Sequence, residues 1–104
     1  MSKSKDIKHL APFVDGDLYQ LEGGDYIRIY SLCEEEDECN YGYDYFDGRT
    51  KMLRDGGIFH SDGVNSEEIL REVMYTCDIE EESFSLVGEN MEYEDLAEEG
   101  FGGF

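Results

Sequence analysis

Charge is the strongest constraint on how this 104-residue chain can fold. It holds 27 Asp and Glu residues against 8 Lys and Arg residues, which gives a formal net charge of -19. A small domain stays soluble at a net charge of roughly 2 to 8, and larger values destabilise the compact state through self-repulsion. Leu, Ile, Val and Phe supply only 24 residues, but 8 Tyr residues add large, partly buried surfaces. We therefore expect a single acidic domain over residues 1–104 with a modest core.

The acidic residues are concentrated in two parts of the sequence. Residues 31–47 contain seven acids and no base, and residues 61–104 contain fourteen acids and one base, Arg71. Between them, residues 48–60 hold three bases and one acid, a net charge of +2. This uneven distribution favours a binding surface over general solvation of the whole protein.

Alternating apolar and polar residues predict a β-hairpin in the first third of the chain. Residues 17–22 and 25–30 flank Gly23 and Gly24, which favour a tight primed turn. A period of two places Ile27 and Ile29 toward the core. The other side of that strand is then lined by Tyr26, Arg28 and Tyr30.

More strands are predicted in the middle of the chain. Residues 41–46 alternate like a third strand, and the Asp-Gly pair at 47–48 predicts a turn into residues 49–53. Asp and Gly at residues 55–57 predict another turn before a short strand at 58–60.

An amphipathic helix is the clearest element of the sequence and spans residues 65–77. Asn65 followed by Glu68 resembles a capping box at its start. Apolar residues recur on one face at helical spacing: Ile69, Leu70, Val73, Met74 and Cys77.

The last predicted elements are a strand and a short helix. Residues 83–87 alternate as a strand buried through Phe84 and Leu86, and Asn90 is expected to cap a helix over residues 91–99. The pattern as a whole predicts the α+β class: a small antiparallel sheet of four to five strands, built from N-terminal hairpins, packed against one amphipathic helix, with a short C-terminal helix.

Catalytic and metal-binding signatures are absent from the sequence. The candidate nucleophiles and soft ligands are Cys33, Cys39, Cys77, His9 and His60, without the spacing of a zinc site or a Cys/His catalytic motif. No stretch matches an EF-hand loop, a P-loop or G-x-S-x-G. We therefore expect no enzymatic activity, no cofactor and no metal site, with Cys77 acting as a small buried hydrophobe.

Targeting signals are also absent. The basic N-terminus lacks the apolar region of a secretory signal, no run is long enough to span a membrane, and an odd number of cysteines fits a reducing compartment. We expect a cytoplasmic protein with a flexible N-terminus at residues 1–12 and a tail at residues 101–104.

Clusters of carboxylates are the first candidate binding feature. In the last helix, Glu94 and Glu98 stand four residues apart, as do Asp95 and Glu99, so each pair shares a face with Cβ atoms about 5–6 Å apart. Backbone phosphates advance about 3.4 Å per nucleotide along a DNA strand, so such rows can take their place in a basic groove. The predicted contacts are Glu34, Glu35, Glu36, Asp37, Glu38, Glu80, Glu81, Glu82, Glu92, Glu94, Asp95, Glu98 and Glu99.

Tyrosines form the second candidate feature. Tyr41, Tyr43 and Tyr45 share one face of their strand, and we group Tyr26 and Tyr30 with them. These rings are either packed under the helix or form an interface, where Tyr is enriched and can contact cations.

Small size, extreme acidity and the absence of catalytic groups resemble the phage and mobile-element proteins that mimic DNA to block restriction or CRISPR nucleases. The resemblance implies a non-enzymatic inhibitor, monomeric or homodimeric, whose partner is a basic nucleic-acid-binding nuclease rather than nucleic acid or membrane. The alternative is an adaptor or antitoxin-like protein that binds a basic partner through the Tyr-rich face. Adaptation to high salt would instead predict folding only at molar salt.

Overall fold

Five strands and two helices make up the part of the chain that the structure describes. The computed structural model describes residues 16–32, 40–60 and 65–102, and these contain β1 (Gly16–Leu21), β2 (Tyr26–Ser31), β3 (Asn40–Phe46), β4 (Leu53–His60), α1 (Ser66–Thr76), β5 (Phe84–Met91) and α2 (Tyr93–Glu98). The strands form one antiparallel sheet in the order β4-β3-β2-β1-β5. The predicted α+β class, the N-terminal hairpin and the short C-terminal helix are confirmed.

The β1–β2 hairpin closes where the two glycines predicted it. Gly24 has a φ of 108°, and its amide donates to the Leu21 carbonyl at 2.9 Å. The Leu21 amide donates to the Asp25 carbonyl at 2.8 Å. Glycine reaches a positive φ without the steric cost that a Cβ imposes, so this pair fixes both the turn and the register of the strands.

Helix α1 covers one face of the sheet as its sequence pattern predicted. The Asn65 side chain accepts a hydrogen bond from the Glu68 amide at 2.9 Å, which satisfies one of the free donors at the helix start. The apolar side of α1 packs on side chains of β1, β2 and β3 in a cluster formed by Tyr19, Leu21, Ile27, Tyr43, Leu70, Val73 and Met74. We call this side of the sheet the α1 face.

The opposite face of the sheet is also buried, and we call it the α2 face. Leu96 of α2 is fully buried against a second cluster that contains Leu18, Phe46, Leu53 and Phe101. Phe101, assigned to a tail from the sequence, is only 6% exposed and makes edge contacts with the rings of Tyr26 and Phe46 at 4.9 Å. The Leu53 amide donates to the Gly102 carbonyl at 2.6 Å, so residues 101–102 dock on the body of the same chain.

The prediction of a turn at residues 55–57 is wrong, because β4 runs straight through them. The chain reverses earlier, where the Asp47 carboxylate accepts hydrogen bonds from the Arg49 and Thr50 amides and Lys51 takes a φ of 62°. Residues 48–50 form the turn that the Asp-Gly pair at 47–48 predicted, but the strand predicted over residues 49–53 begins only at Leu53. A glycine is favoured at position 57 of this strand because a Cβ there would lie only 3.3 Å from the Tyr43 ring. The glycine leaves room for a core aromatic side chain.

Two predictions about the C-terminal third are also wrong. Leu86 is not buried but 45% exposed, because β5 lies at an edge of the described sheet, where only β1 is beside it. Asn90 does not cap α2: it lies in β5, since pairing with β1 continues as far as Met91 opposite Gly16. Glu92 is the residue before the helix, and its amide donates to the Asp95 carboxylate at 3.1 Å.

Candidate partner-binding surface

Among the described residues, helix α2 and its two ends present the largest group of predicted contact residues. The fully buried side chain of Leu96 anchors the helix on the α2 face of the sheet. Five carboxylate side chains on the helix and its two ends are exposed, and we call them the α2 acidic surface: Glu92, Glu94, Asp95, Glu98 and Glu99.

Part of the α2 acidic surface works against the stability of its own helix. Glu94 and Asp95 lie in the first turn, where the helix dipole favours negative charge. Glu98 and Glu99 lie at the C-terminal end, where the helix dipole disfavours negative charge. Glu94 and Glu98 are one turn apart, and like charges at this spacing cost roughly 0.2 to 0.5 kcal/mol. Among the described residues, no basic side chain pairs with either of them. Lys51 approaches the helix end but donates to the Glu99 carbonyl at 2.9 Å.

The second cluster, Glu80 to Glu82, is partly used to hold the fold together. Glu82 accepts a hydrogen bond from the Gly23 amide at 2.6 Å and so ties the segment before β5 to the hairpin turn. Glu81 pairs with Arg71 of α1 at 3.0 Å, and Arg71 also pairs with Glu67. Glu80 is exposed. Since two of these three carboxylates have partners within the protein, the cluster is less available to another molecule than α2 is.

The sheet separates the two clusters. Cys77 and Ile79, which lead into Glu80, pack against the core on the α1 face, whereas Leu96 belongs to the core on the other face. The third predicted cluster, Glu34 to Glu38, lies outside the described residues. The carboxylates at residues 80–82 and 92–99, predicted from the sequence as one set of contacts, therefore belong to different sides of the protein.

Strand register divides the predicted Tyr-rich face. Tyr43 and Tyr45 pair with Ile29 and Ile27, and directly paired residues share a face, so Tyr41, Tyr43 and Tyr45 lie on the α1 face. Tyr26 and Tyr30 alternate with these isoleucines and lie on the α2 face. Grouping them with the other three was therefore wrong.

Most of the α1-face tyrosines are held in the interior. Tyr43 is 5% exposed within the core cluster. The Tyr45 hydroxyl donates to the Asp25 carboxylate at 2.6 Å, and burial together with this bond raises the pKa of Tyr45 above its usual value. Tyr41 is half-buried, with its ring 6.0 Å from that of Phe59. Packing, rather than an open aromatic surface, accounts for this row.

Cys77 takes part in a small polar cluster beneath α1. Its thiol donates to the Asp55 carboxylate at 3.6 Å, and it lies beside Tyr43. Burial, followed by the nearby Asp55, raises the pKa of the Cys77 thiol to about 12. A thiol with this pKa is not ionised near neutral pH and is a weak nucleophile. Cys77 thus resembles the predicted small hydrophobe, with a hydrogen bond that the sequence did not indicate.

A buried ion pair on the α2 face was missed by sequence reasoning. Arg28 and Asp44 are both 0% exposed, with Nη1 of Arg28 at 3.0 Å from Oδ2 of Asp44. The Arg28 guanidinium also donates to the Met91 carbonyl and lies 4.7 Å from the Tyr30 ring centroid. Oδ1 of Asp44 has no hydrogen-bond partner. No local pattern marked these residues, because an Arg in an alternating strand is usually exposed.

Tyr75 was also missed, although its sequence position offered a signal. It lies on α1 outside the apolar positions and is 87% exposed, the most exposed large hydrophobic residue among those described. The helical period of the apolar residues excludes it from the core face. A single exposed aromatic ring is normal on a protein surface and does not by itself define a site.

Neither a metal site nor a membrane-spanning helix is present among the described residues. In ranges 16–32, 40–60 and 65–102, no group of three or more His, Cys, Asp or Glu side chains is arranged to hold a metal ion. No helix in these ranges is long and apolar enough to cross a membrane. The chain matches no protein-family model, no curated protein and no solved structure.

Proposed function

We propose that this chain is an acidic, non-enzymatic binding protein that occupies the nucleic-acid-binding channel of a host defence nuclease, of the CRISPR or restriction type. The observation that carries the proposal is the α2 acidic surface, in which Glu94 and Glu98 have no ion pair with a base among the described residues and Glu98 and Glu99 oppose the helix dipole. A cost of this kind within the free protein is offset if the carboxylates meet Lys and Arg side chains of a partner.

Charge complementarity accounts for how such a partner would be recognised. A groove that holds a phosphate backbone is lined by basic residues, and neutralising them releases bound counterions. After Arg71 the sequence contains no Lys or Arg, so every charged residue of β5 and α2 is acidic. Binding is therefore expected to weaken steeply as salt rises.

The test compares two double variants that each remove two exposed carboxylates one helical turn apart. Glu94→Gln/Glu98→Gln alters α2, and Glu68→Gln/Glu72→Gln alters the solvent side of α1 across the sheet. A panel of purified restriction and CRISPR nucleases is assayed for cleavage of duplex DNA with increasing amounts of each protein.

Inhibition of at least one nuclease by the wild type, relieved by salt and weakened about tenfold or more only by the α2 variant, is the expected result. Equal weakening by both variants would mean that bulk charge, not α2, is responsible. No inhibition of any nuclease, or inhibition that is unchanged in the α2 variant, would reject the proposal.

A further inference from the structure

The two edges of the sheet differ in regularity, and this difference identifies an interaction surface. Strand β4 pairs with β3 without interruption from His60 opposite Asn40 to Asp55 opposite Tyr45. Strand β5 pairs with β1 through two register shifts and contains Asn90 at a φ of 52°. Bulges are a device by which edge strands avoid pairing with other chains. Strand β5 is therefore protected by its irregularities, whereas the described part of β4 has no register shift between Asp55 and Phe59.

Side chains along the β4 edge favour pairing as well. Gly56, Gly57, Ile58 and Phe59 form an uncharged run, and Ile58 is 56% exposed. In the part of the chain that the structure describes, β3 is the only strand beside β4, so one row of backbone amide and carbonyl groups on β4 has no strand partner. A regular, exposed and apolar edge of this kind is a template for a further strand.

Charge indicates what that further strand is. Residues 48–60 carry a net charge of +2 in an otherwise strongly acidic protein. A basic partner of the kind that fits α2 would meet Arg49 and Arg54 near this edge and be repelled. Two copies of this chain, in contrast, would repel each other at their acidic surfaces and least at β4.

We propose that β4 is the dimer interface of this protein, where two copies pair their β4 strands antiparallel about a two-fold axis and join two five-stranded sheets into one. An isologous contact of this kind closes on itself. The antiparallel arrangement places the two copies of Arg54 at opposite ends of the interface, so they do not face each other. Ile58 of each copy loses its exposure to water. The dimer is independent of the proposed binding function of α2.

Sedimentation equilibrium of the full chain over a wide concentration range, at 0.15 M salt, tests the proposal. The expected result is a concentration-dependent shift from the monomer mass to twice that mass. Ile58→Lys, which puts a charge at the centre of the β4 edge, raises the dissociation constant more than about tenfold. Leu86→Lys makes the same change in charge on the β5 edge, where Leu86 is 45% exposed, and leaves the dimer intact.

Hydrogen exchange of the wild-type protein gives a second readout that needs no variant. Backbone amides in residues 55–60 become better protected at concentrations where the dimer forms, and amides of β5 do not. A wild type that stays monomeric at all concentrations overturns the proposal. So does a dimer that Leu86→Lys disrupts and Ile58→Lys does not, or one that forms with no added protection in β4.

Discussion

Asp44 is the residue whose chemistry departs furthest from its usual behaviour. Burial raises its pKa to about 7, although Arg28 opposes the shift by favouring the charged form. The loss of hydration thus outweighs the attraction within the pair, which is common for buried ion pairs. Oδ1 of Asp44 has no hydrogen-bond partner, which adds to the cost of the charged form.

This pKa makes stability depend on pH. Between the ordinary Asp pKa of 3.8 and about 7, the folded protein holds one proton more on Asp44 than the unfolded chain does, so the free energy of unfolding falls as pH rises through this window. Asp44→Asn abolishes this extra proton. We therefore expect the slope of the free energy of unfolding against pH to become less negative by up to roughly 1.4 kcal/mol per pH unit. Urea denaturation at several pH values from 4 to 8 measures the slope.

The control for the loss of one negative charge is Glu94→Gln, which removes an exposed carboxylate from α2. It should retain the pH slope of the wild type. If Asp44→Asn also retains that slope, burial does not raise the pKa of Asp44 as described.

Among the elements, β3 illustrates how glycine positions are set by the strands beside it. Gly42 pairs with Tyr30 of β2, whose ring lies over it and is 2% exposed. A Cβ on Gly42 would lie 2.2 Å from carbon atoms of that ring. Gly57 of β4 makes room for Tyr43 in a similar way on the other face. Both glycines serve packing between strands, not turns.

Gly42→Ala is therefore expected to destabilise the protein by about 1–3 kcal/mol, because the Tyr30 ring must move and disturb its contact with Arg28. Gly102→Ala is the matched control, since a Cβ there meets nothing within 4 Å, and its effect should stay within about 0.5 kcal/mol. Thermal and urea denaturation of both variants measure the difference. Equal losses of stability in the two variants would contradict this account of β3.

On the scale of the whole molecule, the acidic residues and the cores occupy separate regions. The sheet is buried on both faces, by α1 on one side and by α2 with Phe101 on the other. Carboxylates cover the outer surfaces of both helices, and few of the described bases neutralise them: Arg71 pairs on the α1 side, and Lys51 donates to the Glu99 carbonyl just after α2. The folded state therefore concentrates like charges that the unfolded chain would spread apart.

Stability should accordingly rise with salt. Screening weakens repulsion among exposed carboxylates, and several like-charge pairs at a few tenths of a kcal/mol each suggest a gain of about 1 kcal/mol between 0.02 M and 0.5 M NaCl. Urea denaturation measures the gain, and Glu94→Gln/Glu98→Gln should show a smaller one. Stability that falls with added salt would mean that the surface ion pairs of Arg71 outweigh the repulsion. A fold that forms only at molar salt would instead support adaptation to high salt.

The sequence by itself determined the features that depend on nearby residues. The Gly-Gly turn, the alternation of β1, β2 and β3, and the cap and apolar face of α1 follow from interactions within a few positions of each other. The exposure of the α2 carboxylates also follows, because uncompensated charge is costly to bury.

Tertiary structure alone decided the features that join distant residues. Arg28 is buried because Asp44 and the Met91 carbonyl, 16 and 63 positions away, receive its hydrogen bonds. Residues 55–57 form a strand because β3 supplies the pairing that overrides their turn preference, and Tyr26 separates from Tyr43 because register assigns them to opposite faces. Which acidic clusters share a side of the protein was decided in the same way, since the sheet that divides them exists only once the strands have paired.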